Sequence, residues 1–82
     1  MSTTYIRLST IQDVRSFVEV VSLTDVEIDL SSGRYVVDAK SIMGIFSLDL
    51  LSPIKLTAHC EGDEAKQLFE KLKKFIVDAP EA

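Results

Sequence analysis

The fold is decided by residues 54–61, which read Ile54-Lys55-Leu56-Thr57-Ala58-His59-Cys60-Glu61. Apolar and polar residues alternate throughout this stretch. Such alternation is typical of a β-strand that has one face in the core and the other in water. Strands of this kind form antiparallel sheets in which helices cover one face only. We therefore expect an antiparallel sheet with one exposed face.

A helix is expected directly after this strand. Asp63 is the predicted N-cap, because its short side chain can accept hydrogen bonds from free amides of the first turn. The apolar residues that follow recur at helical spacing and form one stripe. They are Ala65, Leu68, Phe69, Leu72, Phe75 and Ile76. Residues 78–82 are expected to form a frayed tail.

The segments before residue 54 supply the remaining elements. A strand over Tyr5–Ser9 leads into a helix that Ser9 or Thr10 caps. The apolar stripe of this helix consists of Ile11, Val14, Phe17, Val18 and Val21.

A hairpin and a second helix then follow. The strands Asp25–Leu30 and Tyr35–Val37 flank the turn signal Ser31-Ser32-Gly33. Ser41 caps a short helix, which Gly44 weakens. The predicted order is β-α-β-β-α-β-α, an α+β domain with a four-stranded antiparallel sheet and three helices on one face. We expect one domain over residues 1–82, ordered from about residue 4 to residue 77.

The composition excludes several classes of protein. The formal net charge is −4 and the pI is about 4.8, which argues against a nucleic-acid partner. A single cysteine, Cys60, excludes an intramolecular disulfide. There is no signal-peptide pattern, and no apolar run approaches the ~20 residues that span a bilayer. We therefore expect a cytoplasmic protein without membrane insertion.

The residues give no complete catalytic or metal site. His59 is the only histidine, and it faces the polar side of its strand, whereas Cys60 faces the other. The two side chains therefore cannot pair as a base and a thiolate. One histidine and one cysteine on opposite faces also do not make a metal site. We predict a binding or regulatory protein rather than an enzyme, with no metal and no cofactor.

Residues 41–51 are unusually rich in large apolar side chains. These are Ile42, Met43, Ile45, Phe46, Leu48, Leu50 and Leu51. A two-turn helix buries only a narrow stripe, so part of this set is expected to form an exposed binding patch. A fully buried short helix is equally compatible with the composition.

The run Asp38-Ala39-Lys40-Ser41-Ile42-Met43-Gly44-Ile45-Phe46-Ser47-Leu48 resembles the regulatory-serine region of HPr. HPr is the histidine-containing phosphocarrier of the phosphoenolpyruvate-dependent sugar phosphotransferase system. The resemblance implies an open-faced β-sandwich and matches Ser41 to the serine that HPr kinase phosphorylates. It also matches Ile42, Met43 and Phe46 to the family's apolar docking surface. With Ile45, these three residues form our candidate docking set.

The chain departs from the family at the junction of the first strand and first helix. Family members carry a phosphorylatable histidine there, in a G-[IL]-H-A-R-P motif. Here the junction reads Leu8-Ser9-Thr10-Ile11-Gln12-Asp13-Val14-Arg15, without histidine or proline. We therefore expect a regulatory interaction module that carries no phosphate on histidine, with Ser41 as a candidate phosphorylation switch. The expected partners are phosphotransferase-system proteins, HPr kinase or a transcriptional regulator. The alternative is an active phosphocarrier with a relocated acceptor such as His59.

Overall fold

The computed structural model describes residues 1–80. These residues form strands, α-helices and a 3₁₀ turn. In order they are β1 (Ser2–Ile6), α1 (Ile11–Ser22), β2 (Ile28–Ser32), β3 (Tyr35–Asp38), α2 (Ile42–Phe46), β4 (Ile54–Ala58), α3 (Gly62–Lys71), a 3₁₀ turn (Lys73–Phe75) and β5 (Ile76–Val77). Residues 81 and 82 of the expected tail lie outside the described residues. No helix in residues 1–80 has the length and apolar character that a membrane crossing requires.

The strands form one antiparallel sheet in the order β3-β2-β4-β1-β5. The predicted α+β class and the three helices are confirmed, and the strand alternation of residues 54–58 is confirmed as the pattern of β4. The sheet has a fifth strand that the sequence did not predict. Ile76, which we placed in the last helical stripe, instead pairs with Ile6 in β5. α3 ends at Lys71, and a 3₁₀ turn separates it from Ile76.

The core fills the space between the helices and one face of the sheet. Leu30, Leu56 and Ile54 are completely buried on that face, because alternate residues of β2 and β4 point the same way. The rings of Phe17 and Phe75 meet edge to face, with their centroids 5.6 Å apart. This contact ties α1 to the 3₁₀ turn. The other sheet face carries the polar residues of the strands and stays accessible.

Several predicted boundaries were wrong because long-range pairing sets the ends of strands. β1 begins at Ser2 rather than Tyr5, since Ser2 pairs with Ala58 and its hydroxyl donates to the Cys60 carbonyl. β2 begins at Ile28 rather than Asp25 and extends through Ser32, which pairs with Tyr35. The hairpin loop is therefore shorter than predicted, and Gly33 supplies the positive φ of 60° that the loop requires.

The helix starts also differ in detail from the prediction. Thr10, not Ser9, is the N-cap of α1. Ile11, which we placed on the core stripe, is 65% exposed because it is the first residue of the helix. Glu61 is the N-cap residue of α3, and its side chain makes no cap hydrogen bond. Asp63 is instead the second residue of α3, in the first turn, where a carboxylate still interacts favourably with the helix dipole.

Candidate functional site

Ser41 begins α2 and lies on the surface. Its backbone is extended, with φ −96° and ψ 102°, and its Oγ accepts a hydrogen bond from the Gly44 amide at 3.2 Å. The predicted N-cap is thus confirmed. Gly44 stays small for a packing reason, since a Cβ there would lie 3.1 Å from Ser41 Oγ and 3.1 Å from Val37 Cβ. A side chain at residue 44 would therefore crowd the Ser41 hydroxyl.

The apolar residues of α2 differ in exposure according to their angle around the helix. Met43 is 76% exposed and Phe46 is 42% exposed, whereas Ile42 is half-buried. Ile45 is completely buried because it faces the sheet, and this corrects its place in the candidate docking set. We name the three remaining residues, Ile42, Met43 and Phe46, the docking patch. Leu51, in the following loop, is also exposed.

The start of α1 is closed by a capping box. The Asp13 amide donates to Thr10 Oγ1 at 3.0 Å. In return, Asp13 Oδ2 accepts from the amides of Ser9 at 3.0 Å and Thr10 at 3.3 Å. A negatively charged side chain therefore takes up amides that would otherwise be free to bind an anion. Sequence analysis did not identify Asp13 as the closing residue, although its position three residues after Thr10 is the signal for this role.

His59 lies just beyond β4, at the far end of the sheet from this junction. Its amide donates to the Glu27 carbonyl at 2.9 Å, and its Nε2 lies 2.8 Å from Asp29 Oδ2. Ile54 at the other end of β4 pairs with Ile6, where β1 turns towards α1. At ~3.3 Å per residue, His59 is about 16 Å further along the strand. The His59–Asp29 pair was not predicted, although both residues belong to the polar faces of neighbouring strands.

Cys60 is nearly buried on the core side, as its alternation with His59 predicted. Burial raises the pKa of the Cys60 thiol, and the negative charge of Glu64 raises it further. The thiol is therefore protonated at neutral pH and is a poor nucleophile. Within residues 1–80, no three His, Cys, Asp or Glu side chains come together as a metal site would need.

These features define a class of small antiparallel α+β domains with one helix-covered sheet face and an exposed apolar helix begun by a serine. The family model "PTS HPr component phosphorylation site" matches residues 13–78. The chain therefore belongs to the HPr family of the phosphotransferase system, whose members are phosphocarriers rather than enzymes. The match starts within the α1 capping box and leaves out residues 1–12.

Two solved structures share this fold over nearly the whole chain. One is HPr-C-His from Thermoanaerobacter tengcongensis, with 29% identity, a TM-score of 0.71, and coverage of 90% of this chain and 89% of that one. The other is the phosphocarrier protein HPr from Bacillus anthracis, with 26% identity, a TM-score of 0.67, and coverage of 93% and 96%. A comparison with curated proteins finds no match.

Proposed function

We propose that this chain is a regulatory, HPr-like interaction module that does not carry phosphate on histidine. The observation that carries the proposal is the closed capping box at the start of α1. Histidyl phosphotransfer needs an imidazole surrounded by donors that stabilise the phosphoryl charge. Residues 8–15 contain no histidine, and the Asp13 carboxylate already accepts from the amides of Ser9 and Thr10.

Electrostatics support the same conclusion. A phosphoryl group at this junction would lie close to the Asp13 carboxylate, and two negative charges at such short range repel each other. The helix dipole of α1 favours one anion near its first turn. The Asp13 carboxylate already provides that anion, so the helix dipole is not free to stabilise a phosphoryl group there.

The docking patch supports an interaction role. Met43 and Phe46 present apolar surface on α2, and the completely buried side chain of Ile45 anchors this helix in the core. Contiguous exposed apolar surface usually marks a protein contact. The partner classes are other phosphotransferase-system proteins, HPr kinase or a transcriptional regulator, and we place this interaction in the cytoplasm.

Phosphorylation of Ser41 would act as the switch of this surface. The hydroxyl is exposed, and a phosphate there would add a charge of about −1.5 to −2. Met43 lies two residues away on the same short helix, so docking of an apolar partner would bring the new charge against apolar surface. Incubation with HPr kinase and ATP, followed by mass spectrometry, should give one phosphate on the wild type and none on Ser41→Ala. An unmodified wild type would contradict the switch.

The main proposal is tested by incubation with enzyme I and phosphoenolpyruvate. The Bacillus anthracis HPr protein serves as the positive control in the same reaction. We expect an acid-labile phosphate on the control protein and none on this chain. Any acid-labile phosphate on the wild-type chain would overturn the proposal.

The alternative function is a phosphocarrier that uses His59 as a relocated acceptor. One observation favours it, namely the 2.8 Å contact between His59 Nε2 and Asp29, because a carboxylate orients an imidazole ring. The side chain of His59 is 35% exposed, so a partner could reach the ring. If the wild type is labelled by enzyme I but His59→Gln is not, the alternative is correct. The Lys73→Gln variant, changed on the 3₁₀ turn, is the control for nonspecific effects.

A further inference from the structure

A wide groove opens at the end of the sheet where the β2–β3 turn faces the loop between α2 and β4. Its volume is about 900 Å³. Pockets that bind small molecules have volumes of roughly 300–1,000 Å³, so this groove is large enough for a metabolite. It is separate from the docking patch, since none of Ile42, Met43 and Phe46 lines it.

Lys55 forms the floor of the groove from the central strand β4. Strand pairing places Tyr5 of β1 opposite Lys55 on one side and Ser31 of β2 opposite it on the other. The residues before and after Lys55, Ile54 and Leu56, are completely buried. Lys55 and its two neighbours therefore point together to the open face of the sheet.

The groove is positively charged although the chain as a whole is acidic. Arg34 at the hairpin turn is the second cation of the lining, and within residues 1–80 neither Arg34 nor Lys55 forms an ion pair. Among residues 1–80, the lining includes one carboxylate, that of Asp49, which accepts a hydrogen bond from the Leu51 amide at 3.0 Å. Two cations thus face one carboxylate that already has a partner, in a protein of net charge −4.

We propose that this groove binds a small phosphorylated sugar. A phosphate monoester carries a charge of about −1.5 to −2 at neutral pH, which matches the two cations better than a single carboxylate does. Arg34 can donate two parallel hydrogen bonds to phosphate oxygens, and Lys55 adds a point charge. The sugar then lies over Tyr5, whose ring offers flat apolar surface and whose hydroxyl bonds to polar groups. Ser31 supplies a further hydroxyl at the floor.

The test is titration of the ¹⁵N-labelled full chain with ribose 5-phosphate, followed by amide chemical shifts. We expect saturable shifts at the groove residues, and no saturation with ribose at the same concentration. The double variant Arg34→Gln/Lys55→Gln should bind more weakly by about tenfold for each cation removed. Both side chains are exposed, so this variant should keep the wild-type spectrum elsewhere. The double variant Lys66→Gln/Lys73→Gln removes the same two charges away from the groove and should bind as the wild type does.

Three results would overturn this assignment. The first is unchanged affinity in the double variant, because the cations would then have no role. The second is a set of shifts confined to α3 and the 3₁₀ turn, where four of the other lysines lie. The third is equal affinity for inorganic phosphate and ribose 5-phosphate, which would remove the sugar from the site. None of these results bears on the docking patch, so they test the groove independently of the regulatory role.

Discussion

The starts of α1 and α2 use the same kind of cap but differ at one position. Thr10 and Ser41 each accept a hydrogen bond from the amide three residues later. In α1 that later residue is Asp13, whose carboxylate returns to the cap and closes it. In α2 it is Gly44, which has no side chain and leaves the hydroxyl open to solvent. The difference teaches that a side chain closes the cap of α1, whereas the cap residue of α2 stays exposed.

A second contrast lies within α2, and it gives the largest expected effect. Ile45→Ala should lower the free energy of unfolding by about 3 kcal/mol, because it removes a fully buried side chain and leaves a cavity. Met43→Ala, on the exposed side, should change it by less than about 0.5 kcal/mol. Urea denaturation of both variants measures the difference. Equal losses would show that α2 does not divide into a buried and an exposed side.

The docking patch should respond to charge through binding rather than stability. Met43→Asp should weaken binding to a phosphotransferase-system partner by about 2 kcal/mol, or roughly thirtyfold, because the carboxylate would have to be desolvated in an apolar contact. The control is Leu23→Asp, the same kind of change at a residue that is 88% exposed at the end of α1. Isothermal titration calorimetry compares them. If both variants bind as the wild type does, the patch is not the contact surface.

The closed cap of α1 should have a smaller but measurable effect on stability. Thr10→Ala removes the acceptor for the Asp13 amide and should cost about 1 kcal/mol of unfolding free energy. Ser9→Ala should cost much less, since only the backbone amide of Ser9 takes part in the box. Thermal and urea unfolding would both report the order of the two variants. If Ser9→Ala lowered the stability more than Thr10→Ala does, Ser9 rather than Thr10 would be the cap.

The start of α3 gives the smallest expected effect, because its N-cap side chain is turned away from the helix. Glu61 instead accepts a hydrogen bond from the amino group of Met1 at 2.7 Å, which lowers the pKa of this carboxyl. A lowered pKa means that the stabilisation is present above the unfolded pKa and is lost as the pH falls through the folded pKa. The melting temperature of the wild type should therefore exceed that of Glu61→Gln slightly at pH 7. The two should converge as the pH falls below the ordinary range of glutamate and through the lowered pKa of Glu61. If the difference in melting temperature between the wild type and Glu61→Gln grew as the pH fell, this assignment would be contradicted.

The sequence predicted most of the elements because each is encoded by nearby residues. The alternation of residues 54–58 and the serine before Ile42 are local signals, and both were correct. Met43 and Ile45 lie about 200° apart around α2, but the pattern of so short a helix does not tell which of the two sides packs on the core. Their exposure depends on the orientation in which α2 packs on the rest of the fold.

The errors at β1 and β5 share one physical cause, which is contact between residues far apart in the chain. The helical spacing of apolar residues continues to Ile76 in the sequence, but in the structure Ile76 pairs with the edge of β1 and forms part of a strand. Ser2 likewise becomes part of β1 because β4 continues to Ala58 beside it. The groove between the β2–β3 turn and the α2–β4 loop had no sequence signal, because Arg34 and Lys55 come together only when the sheet forms.

The position of β1 between β4 and β5 has a consequence for biosynthesis. Residues 2–6 pair with residues 54–58 on one side and with residues 76–77 on the other. β1 therefore has no neighbouring strand until residues 54–58 have been translated, and its second neighbour follows only with residues 76–77. A nascent chain stalled before residue 54 leaves β1 unpaired.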